Sequence, residues 1–170
     1  SIGNWFGNAG VLYAKTDLNL SDDNNGSSLR IENLGTIISE GTFEVVGRDL
    51  TNRSEGNIRI ASATDLNLYS FDNQGTFILS EEVASSQSSN FILTRFANSG
   101  TLQTSGNLAI DASYDFENSG NLLTGNNLDI SADDSELAIS NTSTGLLQAG
   151  GALTLSGMNA TFAIQEGTVL

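Results

Sequence analysis

Apolar and polar positions alternate along this chain in runs too short for helices. The pairs Leu29/Ile31, Tyr69/Phe71, Tyr114/Phe116, Leu137/Ile139 and Phe162/Ile164 place large apolar residues two apart, the period of a strand with one buried face. A second set of strands follows in Val11-Leu12, Thr36-Ile37-Ile38, Thr76-Phe77-Ile78-Leu79, Thr101-Leu102 and Asn121-Leu122-Leu123. A third comes further on, in Leu18-Asn19-Leu20, Phe43-Glu44-Val45, Ile58-Arg59-Ile60, Leu108-Ala109-Ile110, Leu128-Asp129-Ile130 and Leu153-Thr154-Leu155. Three short strands therefore recur as a group.

Between the first and second strand of each group stands a signature: an apolar residue, a variable one, then Asn, with Gly two further on in most copies. It occurs at Phe6-x-Asn8, Ile31-x-Asn33, Leu50-x-Asn52, Phe71-x-Asn73, Phe96-x-Asn98, Phe116-x-Asn118 and Ile139-x-Asn141, with Ile164-x-Glu166-Gly167 as a decayed eighth. The spacings are 25, 19, 21, 25, 20 and 23 residues, then 25 to Glu166. Repeats of this length with strand content mark a solenoid, and no hairpin signal sends the chain back on itself. The predicted fold is all-β: a right-handed parallel β-helix of seven to eight coils, three short strands per coil, in one continuous segment over residues 1–170. With rungs about 4.8 Å apart it would be a rod about 35 Å long.

In this register Asn8, Asn33, Asn52, Asn73, Asn98, Asn118 and Asn141 form a structural ladder at one corner. Their side chains are expected to hydrogen-bond to neighbouring turns, with Asn tolerating a left-handed backbone and the following Gly accepting positive φ. Ser54 and Ser143 replace that Gly and predict altered corners. Phe71, Phe96 and Phe116 should stack between Leu50 and Ile139; their inward phase makes them core rather than a ligand platform. Outward, Arg30 should pair with Asp49 and Arg95 with Asp115, each worth about 0–1 kcal/mol. Trp5 precedes the first clear rung and is left with a capping or interface role, or none.

Charge changes the picture next. Twenty acids face six bases, a net charge of −14, which argues against nucleic acid or an anionic membrane as main partner. No apolar run is long enough to insert in a membrane. The chain has no Cys, His or Pro, so no disulfide, thiol or Cys/His metal chemistry is expected, and no cofactor. Absent proline suits a chain whose N–H groups are needed in sheet ladders.

Two stretches break the repeat, near residues 21–28 and 80–90. Insertions in a solenoid protrude from one edge and are where binding is most easily grafted, which makes Asp22, Asp23, Asn24, Asn25, Glu81, Glu82, Ser85 and Gln87 the candidate binding residues. The Asp22–Gly26 run offers oxygen ligands, but its spacing is neither an EF-hand nor a calcium-loaded β-roll, and it reads as a solvated turn. Glu81-Glu82 and Asp133-Asp134-x-Glu136 raise a glycan-cleaving alternative. Inverting hydrolysis needs carboxylates about 6.5–9.5 Å apart across one cleft. Lyase chemistry usually needs a basic proton acceptor, and the supply is Lys15 and five dispersed Arg. No catalytic residue is assigned.

The runs from Asn98 to Ala112 and from Asn118 to Ala132 resemble filamentous-haemagglutinin repeats, the resemblance being best from Asn98 to Leu155 and looser from Asn8 to Phe96. Such repeats belong to large bacterial exoproteins of two-partner secretion, which include adhesins and the toxin-delivery proteins of contact-dependent growth inhibition. The resemblance implies an interior segment of a longer polypeptide, exported through an outer-membrane secretion partner to the bacterial surface. There it would extend a filament and contact a target-cell receptor or glycan. The chain has no Asn-Pro-Asn-Gly segment of the family's secretion domain and no toxin-like constellation.

Overall fold

The computed structural model describes residues 4–22, 28–79, 87–132, 138–157, 161–164 and 168–169. The strands stack in parallel as a β-solenoid of about six turns, with no helix among the described residues. The seven asparagines bound six circuits, so the coil count is slightly below the seven to eight predicted from sequence.

Each coil has three walls. The asparagine wall holds Trp5–Asn8, Arg30–Asn33, Ala138–Asn141, Thr161–Ile164 and the second halves of Phe43–Asn52, Thr64–Asn73, Ser88–Asn98 and Asn107–Asn118. The flat wall is a separate eight-stranded sheet: Val11–Ala14, Thr36–Ser39, Asn57–Ile60, Thr76–Leu79, Thr101–Thr104, Asn121–Thr124, Leu146–Ala149 and Thr168–Val169. The return wall holds Leu18–Ser21, Leu128–Ala132, Leu153–Gly157 and the first halves of the four long strands. In coils with long strands the return and asparagine walls are one bent strand, so three walls form two hydrogen-bonded sheets.

The alternating residues fill the interior in columns. Ile37, Ile58, Phe77, Leu102, Leu122 and Leu147 stack on the flat wall, and Val45, Leu66, Phe91, Ile110 and Ile130 on the return wall. All are essentially inaccessible, and each such side chain contributes about 1.5–3 kcal/mol by leaving water. On the asparagine wall Phe71, Phe96 and Phe116 stack in register between Leu50 and Ile139. Their ring centroids are 5.4 and 4.6 Å apart, the second pair nearly coplanar at 5°.

Three sequence assignments differ from the structure. Ile58-Arg59-Ile60 belongs to the flat wall, displaced along the chain by a longer corner after Asn52. Tyr69 and Tyr114, read as inward partners of Phe71 and Phe116, are half exposed. They sit where the long strands bend from return to asparagine wall, and the bend turns them out. In the last turn Ile164 pairs with Asn141, so Ile164 rather than Glu166 holds the asparagine position, 23 residues on.

The asparagines are inside. Asn33, Asn52, Asn73, Asn98, Asn118 and Asn141 are at most 1% exposed. Each Nδ2 from Asn8 to Asn118 donates to the Oδ1 of the next asparagine, six bonds of 2.8 Å all pointing the same way. The direction is fixed because the same Nδ2 atoms also donate to backbone carbonyls, such as Thr76, Thr101 and Asn121, which only accept. These asparagines lie in extended strands. No left-handed conformation is involved, and the corner glycines take no positive φ either. Glycine is needed there because the chain stacks on itself: a Cβ on Gly100 would lie 2.1 Å from the Gly75 carbonyl oxygen.

At the altered corners the glycine arrives two residues late. Gly56 and Gly145 close turns onto the Arg53 and Thr142 carbonyls at 2.7 and 2.9 Å, and Asn52 and Asn141 stay in the ladder.

Candidate functional site

Because the interior is filled by side chains, any site must be built on the outer faces or the connections. The connection after Leu18–Ser21 joins the return wall to the asparagine wall, whereas the one before Ser88–Asn98 joins the flat wall to the return wall. The two lie at different corners and three rungs apart on the return wall, about 14 Å along the axis, so they form no common edge. Their limits also differ from the sequence reading. Ser21 ends a strand, and Ser88, Ser89 and Asn90 begin one, with Ser89 buried.

Of the candidate binding residues, Asp22 and Gln87 are described. Asp22 Oδ2 accepts from the Ser28 N–H and hydroxyl at 3.0 and 2.5 Å, closing the base of its loop. Gln87 Oε1 accepts from Ser62 Oγ at 3.0 Å, and its carbonyl takes the Asn107 N–H at 2.9 Å. Asp22 thus ties the two ends of its own connection together, and Gln87 ties its connection to the turns on either side. Asp23, Asn24, Asn25, Glu81, Glu82 and Ser85 lie outside the described residues, as do Asp133, Asp134 and Glu136. Among the described residues no three acids stand together as a metal site.

A shallow groove of about 330 Å³ runs across the return wall, lined by Glu44, Val46, Asp65, Asn67, Asn90 and Ile92. Strand register stacks Glu44, Asp65 and Asn90 on successive rungs, and Asn90 Nδ2 donates to Asp65 Oδ1 at 3.0 Å. Ile92 is 56% exposed at its rim. The sequence reading missed this pair of carboxylates because Glu44 and Asp65 are far apart in sequence and meet only through the 21-residue register between their strands.

A second depression, about 250 Å³, opens on the asparagine wall between Trp5, Arg30, Glu32, Asp49, Thr51 and Arg53. Trp5 lies in the first rung, paired with Arg30, and not before it. Its ring lies over Gly7, where a Cβ would come within 2.1 Å of the indole; glycine at that outward position lets the ring lie along the wall. Trp5 remains 66% exposed.

Arg30 Nε lies 3.3 Å from Asp49 Oδ2, which Arg48 Nε also approaches at 3.8 Å, and Arg53 Nε donates to Glu32 Oε1 at 2.6 Å. Arg53 owes its place at the rim to the altered corner, where its carbonyl accepts from Gly56. The single tryptophan, Gly7 two residues later and Ser54 in a glycine position were the available sequence signals.

Elsewhere, Arg95 stands beside Asp115 in register, but its guanidinium lies over the Tyr114 ring, 5.2 Å from the centroid. An extra residue in Asn107–Asn118 shifts the register between Leu93 and Arg95, which carries Tyr114 outward beneath it. On the flat wall Tyr13 donates to Glu40 Oε1, and that bond to a carboxylate raises the phenol above its usual pKa. Asp17 Oδ1 accepts from the Thr42 N–H and hydroxyl, both at 2.8 Å, which holds its carboxyl below the usual range.

The bases are unevenly placed. Residues 1–60 carry five bases and eight acids, residues 61–170 one base and twelve acids. Three of the five arginines, Arg30, Arg48 and Arg53, gather in or beside the Trp5 depression. Comparison of the chain with models of known protein families, with curated proteins and with solved structures finds no match in any of the three.

Proposed function

We propose that this chain is a segment of an exported bacterial surface filament of the filamentous-haemagglutinin type, whose work is to extend a rod and offer binding surfaces to a target cell. The observation that carries this reading is the unbroken asparagine ladder from Asn8 to Asn141. A buried, one-directional chain of amides fixes the stacking of the turns from Asn8 to Asn141 while leaving the outer walls and the other two corners free to vary. The implied partners are a target-cell receptor or glycan and, for the full polypeptide, an outer-membrane secretion partner; the implied location is the cell surface.

The test is binding of the purified chain to intact bacterial and host cells, beside a variant with residues 81–86 replaced by a short Gly-Ser turn. Replacing the stretch through Asn90 would remove Ser89, which is buried and accepts the Thr64 N–H at 3.1 Å. Saturable binding that the variant loses would make that connection a recognition element. A folded chain that binds neither cell type would end the receptor part of the proposal.

A carbohydrate-active reading has one observation in its favour, the stacked Glu44 and Asp65 in the return-wall groove. It predicts that polysaccharide cleavage would be abolished by Glu44→Gln or Asp65→Asn.

A further inference from the structure

We infer that the Trp5 depression is a binding site for a carboxylate-bearing sugar, a uronic acid unit of an acidic polysaccharide. The inference does not depend on where the rod is displayed, and it concerns a different surface from the connection tested above.

Three features converge on this chemistry. An indole lying along a sheet and exposed on its outer side gives an apolar plate for the C–H face of a pyranose ring. Beside it, Arg30 and Arg53 are each engaged through Nε by a neighbouring carboxylate. That engagement orients the guanidinium groups before any ligand arrives, and the fork of N–H donors beyond Nε matches a carboxylate. Glu32, Asp49 and Thr51 line the remaining wall and supply acceptors and a hydroxyl for sugar hydroxyl groups. At about 250 Å³ the depression is smaller than a drug-sized pocket and suits one sugar ring.

Charge selects the acidic sugar over a neutral one. The lining holds two arginines and two acids, Glu32 and Asp49, and a third arginine, Arg48, stands beside it against Asp49, on a chain whose net charge is −14. An anion is repelled by most of this rod and met by cations at this place.

Trp5 is the sole tryptophan, so its fluorescence reports this site alone. The experiment titrates the whole chain with oligogalacturonate at low ionic strength, and in parallel with the fully methyl-esterified oligosaccharide. The expected result is a saturable change in Trp5 emission with the acid. Binding should be about tenfold weaker or more for the ester, for Arg53→Gln and for Arg30→Gln, as the loss of one charge-assisted contact requires. Arg95→Gln, on the same wall and four rungs away, should bind as the parent does. No saturable change at millimolar acid would overturn the inference. So would equal binding of acid and ester, or an Arg95→Gln loss matching that of Arg53→Gln, which would mean diffuse charge attraction. The ester comparison uses the unaltered chain, so the test survives a variant that misfolds.

Discussion

At the asparagine corner the chain takes three residues from Asn to the first flat-wall residue in five coils and five residues in two, at Asn52 and Asn141. At the corner where the return wall meets the asparagine wall the path between inward residues is far less constant. It is five residues from Val45 to Leu50, six from Ile110 to Phe116, nine from Ile130 to Ile139 and eleven from Leu20 to Ile31. The difference follows from what lies inside each. The asparagine corner contains buried amides whose partners are one rung away, and glycines packed on the preceding carbonyl. A buried amide stripped of its partner costs about 1–3 kcal/mol, so that geometry is held and even the longer corners return Asn and Gly to the same places. The other corner carries exposed residues such as Tyr69 and Tyr114, and lengthening it costs only loop entropy, about 0.6 kcal/mol per doubling.

The largest effect expected from breaking this contrast is at Gly100. Gly100→Ala sets a Cβ 2.1 Å from the Gly75 carbonyl oxygen, and neither backbone can move without disturbing its rung. Urea unfolding should show a loss of about 3 kcal/mol or more, whereas Tyr114→Ala at the other corner should stay within about 0.5 kcal/mol. A smaller effect of opposite sign is expected inside the return wall. Thr64 is fully buried and its Oγ1 has no partner, so Thr64→Val should raise stability by about 1 kcal/mol.

Next comes length. Inserting four Gly-Ser residues between Ser113 and Tyr114, where the strand already carries an extra residue, should cost under about 1 kcal/mol. A larger loss would show that this corner is wired after all.

The smallest effect is electrostatic, at the corner between the flat and return walls. Asp17 is depressed by the Thr42 N–H and hydroxyl, so the folded state favours its ionised form. Its contribution to stability is therefore present above the unfolded carboxyl pKa and fades as pH falls through the lower folded value. The unfolding midpoints of the parent and Asp17→Asn should differ at neutral pH and converge in acid. A gap that persists at low pH would assign the effect to something other than the carboxylate.

Much of this was legible in the sequence because a solenoid repeats its reasons. The Asn signature, the inward Phe71, Phe96 and Phe116, and the outward Arg30–Asp49 contact at 3.3 Å all follow from one register. The irregular spacing hid more. Set against the 19-residue coil from Asn33 to Asn52, each longer coil has its extra residues at an identifiable corner. The late glycine at Gly56 moved Ile58 and Ile60 to another wall. The last turn lost its asparagine to Ile164, which only strand pairing reveals.

The outer surface was the least legible part. Pairing across rungs brings together residues such as Glu44 and Asp65, or Trp5 and Arg30, from separate repeats. No local pattern marks such a meeting.

The measurement that tests the central claim most directly is a double-mutant cycle in urea on Asn98→Ala, Asn118→Ala and the pair. Asn98 Nδ2 donates to Asn118 Oδ1 at 2.8 Å, so each single change strands a buried partner and should cost about 2–3 kcal/mol. The pair shares the broken bond and should cost less than the sum, by about 0.5 kcal/mol or more. Single losses under about 0.5 kcal/mol, or strict additivity, would contradict the account: the ladder would then be a consequence of the stacked turns and not what holds them.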